Sequence, residues 1–188
     1  MVVVFDATML SLLLHQTARL PCFPGTKTQI VDARERIETL LTELAKQNAT
    51  ILVPAPALTE FLCLVDEAGP GYLKTINKKS SFEVAPFDEK AAIEAAEIIK
   101  KLRKDFGHKS GPQSDEPWQK VKVDQQIVAI AKAENVDCLY TADGGMVNTA
   151  KALKVPATGL WDLPLPPYDK PLLAGLNDLS SSEPEPPS

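Results

Sequence analysis

Four carboxylates stand near the ends of predicted strands and the starts of predicted helices in this chain. They are Asp6 after the apolar run Val2-Val3-Val4-Phe5, Glu60 in Pro56-Ala57-Leu58-Thr59-Glu60-Phe61-Leu62, Asp124 in Lys122-Val123-Asp124-Gln125-Gln126-Ile127-Val128, and Asp143 after Leu139-Tyr140-Thr141-Ala142. No histidine or cysteine accompanies them as a metal-ligand set. Acids that converge without bases repel one another and resist ionisation. A hard divalent cation with oxygen ligands, such as Mg²⁺, relieves that cost most directly. The chemistry to expect from such a site is metal-dependent reaction at phosphate.

These acids have to be positioned by alternating strands and helices. Residues 2–5 are continuously apolar, as central parallel strands are. A helix is expected over 28–47, with Ile30, Ile37, Leu40, Leu41 and Leu44 on one stripe, then a strand at 51–53. Pro56 suits the first turn of a helix running to 67, which Ala68-Gly69-Pro70-Gly71 terminates. A strand at 82–84, a helix over 89–103 capped by Asp88, a helix over 121–134, a strand at 138–140, a helix over 146–153 and a short strand at 156–160 complete the series. The fold class this implies is α/β, a three-layer α/β/α sandwich around a mainly parallel sheet of roughly five strands.

In open parallel sheets, ligands bind beyond the carboxyl ends of the strands where the strand order reverses. Asp6 leaves the first strand directly and Asp143 lies just past the fourth, so both point to one crevice. Asp124 shares a helical stripe with Val128 and Ala131, and Glu60 shares one with Cys63 and Leu64. Charges on inward stripes are costly unless paired or metal-bound, and no basic residue falls on either stripe. Singly, each acid also suits an ordinary role as a cap, a first-turn acid or a turn residue. Their agreement on one sheet edge is what singles them out.

At 188 residues and 44% hydrophobic content, the chain suits one domain with a proper core, expected over 1–165. From Asp162 onward, seven prolines and five acids against one lysine cannot build a packed core. Residues 166–188 are therefore expected to be extended or disordered. Cys22, Cys63 and Cys138 lack paired spacing, which suits a reducing compartment. No apolar run approaches a membrane span, so a cytoplasmic protein is expected. The net charge of −5 is unevenly distributed: window 100–122 holds seven Lys or Arg against three acids, leaving it at +4 and the remainder at −9. Gly107 to Pro117 within it reads as a loop longer than usual.

The order Asp, Glu, Asp, Asp, in Val3-Val4-Phe5-Asp6-Ala7-Thr8, Pro54-Ala55-Pro56-Ala57-Leu58-Thr59-Glu60-Phe61, Asp124-Gln125-Gln126-Ile127-Val128-Ala129-Ile130-Ala131 and Thr141-Ala142-Asp143, resembles the PIN domain. Ala85-Pro86-Phe87-Asp88 and Gly159-Leu160-Trp161-Asp162-Leu163-Pro164 match as well. PIN domains are metal-dependent ribonucleases that include the VapC-type toxins of toxin–antitoxin pairs. The resemblance implies a Mg²⁺ or Mn²⁺ site on Asp6, Glu60, Asp124 and Asp143, supported by the hydroxyls of Thr8 and Thr141. The partners it implies are RNA, a cognate antitoxin protein and a second copy of the chain, with no membrane. The chain departs from the pattern at Gly145 and Met146, where many members carry a further acid and an aromatic, and in its 107–117 loop and long tail.

The activity expected is cleavage of single-stranded RNA, with the basic window as its grip. Lys101, Arg103, Lys104, Lys109 and Lys120 would neutralise phosphates and Trp118 would stack on an unpaired base. Two alternatives stay open. A phosphatase of the haloacid-dehalogenase type would use Asp6 of Phe5-Asp6-Ala7-Thr8 as nucleophile, although the following Gly-Thr is absent. A catalytically silent module of the same fold would bind RNA or protein through the basic loop and the tail.

Overall fold

In a computed structural model describing residues 1–106 and 118–165, five strands form one sheet in the order β3-β2-β1-β4-β5, every neighbouring pair parallel. Chain order runs β1 (Val2–Phe5), α1 (Ala7–Leu14), α2 (Ala33–Lys46), β2 (Thr50–Pro54), α3 (Ala55–Val65), α4 (Gly69–Lys78), β3 (Phe82–Ala85), α5 (Glu89–Phe106), α6 (Trp118–Ala133), β4 (Cys138–Thr141), α7 (Gly144–Ala152) and β5 (Ala157–Gly159). The expected α/β/α architecture is present, all five expected strands included. The expected loop at 107–117 and the tail from 166 lie outside the described residues, as do the side chains of Arg103, Asp105, Phe106 and 118–122.

Alternation along β1 divides the core. Val3 and Phe5 join Met9, Ile37, Leu44 and Tyr140 under α1 and α2, while Val4 turns to the opposite face with Ile127, Ile130, Leu139 and Met146 under α5, α6 and α7. A smaller cluster of Leu10, Val53, Phe61, Val65 and Ile76 seats α3 and α4. The chain steps from β1 outward through β2 to β3, then crosses back to β4 on the other flank of β1 and outward to β5. The reversal therefore falls between β1 and β4.

Three expectations about helices change. The segment after Asp6 forms α1, which amphipathic periodicity does not reveal because Ala7–Leu14 is apolar nearly all round. The helix expected from 28 begins only at Ala33, because Thr28 and Ile30 are paired in a hairpin with Phe23 and Pro21. Ala68-Gly69-Pro70-Gly71 does follow the end of α3, which breaks at Asp66 with φ 46°. A new helix, α4, then starts there with Pro70 in its first turn, where the missing N–H costs nothing. Among the described residues no helix is long and apolar enough to cross a membrane.

Candidate functional site

Asp6 and Asp143 each leave a strand and cap the helix that follows it. Asp6 is 3% exposed and sits at the mouth of the β1/β4 seam, its backbone N–H still bonded to the Tyr140 carbonyl at 3.3 Å. Its Oδ1 accepts from the Met9 N–H at 2.8 Å, closing the first turn of α1, and its Oδ2 accepts from the Thr141 hydroxyl at 2.5 Å. Asp143 lies two residues beyond β4 and its Oδ1 accepts from the N–H groups of Gly145 (2.7 Å) and Met146 (3.1 Å) at the start of α7. Thr141, fully buried, links the two acids: its hydroxyl donates to Asp6 and accepts from the Asp143 N–H at 2.9 Å.

Burial pushes the Asp6 carboxyl up from its ordinary value to about 6. Hydrogen bonds from Thr141, Met9 and Ala142 oppose the rise, and the nearby negative charge of Asp143 adds to it. No cation figures among the groups acting on this carboxyl. The donors gathered here are all hard oxygens, two carboxylates and a hydroxyl, which is the set that suits Mg²⁺ or Mn²⁺ and not a soft metal.

The other two acids come from helices. Asp124 projects from the second turn of α6, half-buried, on the stripe that carries the fully buried Val128 and Ala131, as its spacing predicts. Glu60 is in the second turn of α3, but on its outer face, where Cys63 and the 61% exposed Leu64 are its neighbours. The inward stripe of α3 is instead Ala57, Phe61 and Val65. This corrects the expected inward placement of Glu60, and the cause is a helix rich in apolar residues on every side, whose periodicity does not choose a face. α3 packs against both α1 and α6, so the helices that carry Glu60 and Asp124 adjoin each other and α3 adjoins the helix that Asp6 caps. Among the described residues, no three His, Cys, Asp or Glu side chains form a ready-made cage for a metal ion.

Thr8 lies in the first turn of α1, half-buried. Of the residues expected to grip RNA, Lys109 and the side chains of Arg103, Trp118 and Lys120 fall outside the described residues. Lys104 is exposed near the end of α5. The Lys101 ammonium donates to the Ala152 carbonyl at 2.9 Å, at the far end of α7 from Asp143. That bond ties α5 to α7 and leaves Lys101 toward the edge of the sheet away from Asp6.

Sequence reading missed the segment beside α7. The chain at 21–30 forms a small antiparallel hairpin bridged at Cys22 and Gln29, and a Cβ added at Gly144 would come within 3.0 Å of the Pro24 Cβ. Pro24-Gly25 is the turn signal that announces it, Gly25 taking φ 71° as the third residue of the turn. Behind the hairpin, Arg34 donates to the carbonyls of Leu12, His15, Gln16 and Ala18, fixing the exit of α1. Arg36 donates to the carbonyls of Trp161 and Leu163 and pairs with Asp32, clasping the segment after β5.

A family model described as the PIN domain matches residues 28–152. The match takes in Glu60, Asp124 and Asp143 and begins after Asp6. No curated protein sequence matches the chain. Among solved structures, a VapBC2 complex from Rickettsia felis bound to a promoter DNA fragment is similar at a TM-score of 0.56 and 17% identity, covering 85% of this chain and 98% of that one. A domain of a functionally unknown protein from Methanocaldococcus jannaschii matches at a TM-score of 0.43 and 21% identity over 92% of this chain and 97% of its own.

Proposed function

The chain belongs to the PIN-domain family, whose members are generally nucleases, and from that premise we propose that it is a divalent-metal-dependent endoribonuclease acting on single-stranded RNA. The observation that carries the reading is the Asp6–Thr141–Asp143 linkage at the point where strand order reverses. A carboxyl driven up to about 6 by burial beside a second acid is a group that a cation would relieve.

Asp6 and Asp143 are the principal candidates to hold Mg²⁺ or Mn²⁺, with Asp124 and Glu60 supplying further carboxylate oxygens from α6 and α3. Thr141 holds the Asp6 carboxylate in one orientation, and Thr8 is a hydroxyl near the same seam. When bound, such a metal lowers the pKa of a water and offsets negative charge at the scissile phosphate. Glu60, exposed on α3, suits the work of accepting a proton from the attacking water or steadying it. Met9, Gly145 and Met146 keep the two strand-end carboxylates aimed through backbone N–H groups, so their positions do not depend on the ligand arriving.

The cellular role proposed is the toxin of a type II toxin–antitoxin pair, with an antitoxin protein as partner; the similarity in fold to the VapBC2 complex supports it. Cleavage is tested with a labelled single-stranded RNA and full-length protein. Turnover should need Mg²⁺ or Mn²⁺, stop with EDTA, and drop by about a hundredfold or more in a folded Asp124→Asn variant. Undiminished cleavage by that variant would sink the assignment.

A further inference from the structure

We propose that the 21–30 hairpin is a contact for the single-stranded RNA, with the Phe23 ring stacking on an unpaired base and Lys27 meeting a phosphate. The inference deepens the ribonuclease reading and rests on it.

The hairpin is well tied. The Phe23 N–H donates to the Thr28 carbonyl and the Ile30 N–H to the Pro21 carbonyl, both at 2.9 Å. Within the turn, the Thr26 N–H and hydroxyl both donate to the Phe23 carbonyl at 3.0 Å, and the Thr28 N–H donates back to that hydroxyl at 3.2 Å. Its tip is also placed. Pro24 closes on Gly144, the residue directly after Asp143, with Trp161 near the same glycine on the side of the segment clasped by Arg36. The tip thereby lies next to Gly144, at the rim of the candidate site.

What the tip offers is an aromatic ring and a cation with no acid nearby in sequence. Phe23 is 36% exposed and residues 23–29 are exposed throughout. From His15 to Val31 the chain carries Arg19 and Lys27 and no Asp or Glu, in a protein of net charge −5. A single exposed apolar side chain is ordinary by itself. An exposed ring and a lysine on one short hairpin, whose Pro24 lies against the residue that follows a candidate catalytic acid, offer what single-stranded nucleic acid uses: a π-face for a base and a cation for the backbone. The ring is too small an apolar area to anchor a stable protein interface, which buries on the order of 800 Å² per partner.

The test is the affinity of the full-length chain for a fluorescein-labelled single-stranded oligoribonucleotide, measured by anisotropy in EDTA so that cleavage does not intervene. Phe23→Ala should raise Kd about tenfold and Phe23→Tyr should restore it. Lys27→Glu should weaken binding across sequences and lower the salt slope by about one. In Mg²⁺, the Phe23→Ala defect should appear in KM with kcat held. Both side chains are exposed, so melting curves should match wild type. Wild-type affinity in Phe23→Ala and Lys27→Glu overturns the inference, as does a loss that Phe23→Tyr does not restore, or a wild-type chain that fails to bind the oligonucleotide. Binding that depends on Phe23 without any metal-dependent cleavage would instead strike the catalytic reading and leave the hairpin as an RNA contact.

Discussion

Asp6 and Asp143 stand at strand ends, Asp6 held by one N–H and Asp143 by two N–H groups of the helix it caps and the pair joined through one buried hydroxyl, whereas Glu60 and Asp124 project from the second turns of α3 and α6. The strand-end pair is short-chained, and its carboxylates are held by hydrogen bonds that form as the chain folds. Glu60 is exposed on the outer face of α3 and Asp124 is half-buried on α6, so the placement of both depends on where those helices pack. The contrast teaches that one half of the candidate site is held where strands end, at an electrostatic cost borne by Asp6, while the other half is carried by helices and placed by how those helices pack.

The largest effect should separate the two halves directly. Asp143→Asn is expected to lower kcat/KM for RNA cleavage by about a thousandfold, and Glu60→Gln by roughly tenfold to a hundredfold. Kinetics on a common substrate measure both. A greater loss from Glu60→Gln would invert the ranking and make the exposed helix the centre of the chemistry.

The next effect is the cost of keeping Asp6 charged. Its folded pKa, about 6, lies above the ordinary 3.8, so the folded state binds more protons between these values and stability falls as pH rises through them. At pH 8 without metal the penalty is about 3 kcal/mol, and below pH 3 it vanishes. Asp6→Asn in EDTA should therefore be more stable than wild type at pH 8 and similar at pH 3, by denaturant melts. Adding Mg²⁺ at pH 8 should raise the wild-type melting temperature and leave the variant nearly unmoved. An unchanged stability difference across pH would show that Asp6 is not a strained charge.

The smallest effect concerns the link between the halves of the strand-end pair. Thr141→Val keeps the shape but removes a hydroxyl that donates to Asp6 and accepts from the Asp143 N–H. The expected loss is about 1–3 kcal/mol of stability. The Asp6 carboxyl should rise further, since the Thr141 hydrogen bond lowers its pKa. The acid limb of the pH–activity profile should then move to higher pH. A Thr141→Ser variant should keep that limb in place, and failure to do so would assign the effect to packing.

Much of this architecture is legible in the sequence alone. Continuous apolar runs ended by an acid marked β1 and β4, and the topology of alternating strands and helices put Asp6 and Asp143 at one edge. Asp124 was legible because Val128 and Ala131 mark the buried stripe of α6. Glu60 was misplaced because α3 is apolar on more than one face, and α1 was missed for the same reason. Pro24-Gly25 announced a turn, but nothing local said that the turn would lie against Gly144.

By itself, the sequence determined the acids, the strands that carry two of them and the parallel sheet that follows from connecting those strands by helices. These are properties of residue type and short-range period, which a chain expresses locally. Only tertiary structure decided that one threonine hydroxyl joins Asp6 to Asp143, that Glu60 faces outward, that Lys101 is spent on the Ala152 carbonyl, and that a hairpin more than 110 residues before Asp143 borders the site. Those relations link residues distant in sequence, and no local pattern encodes them because they arise from how finished elements pack.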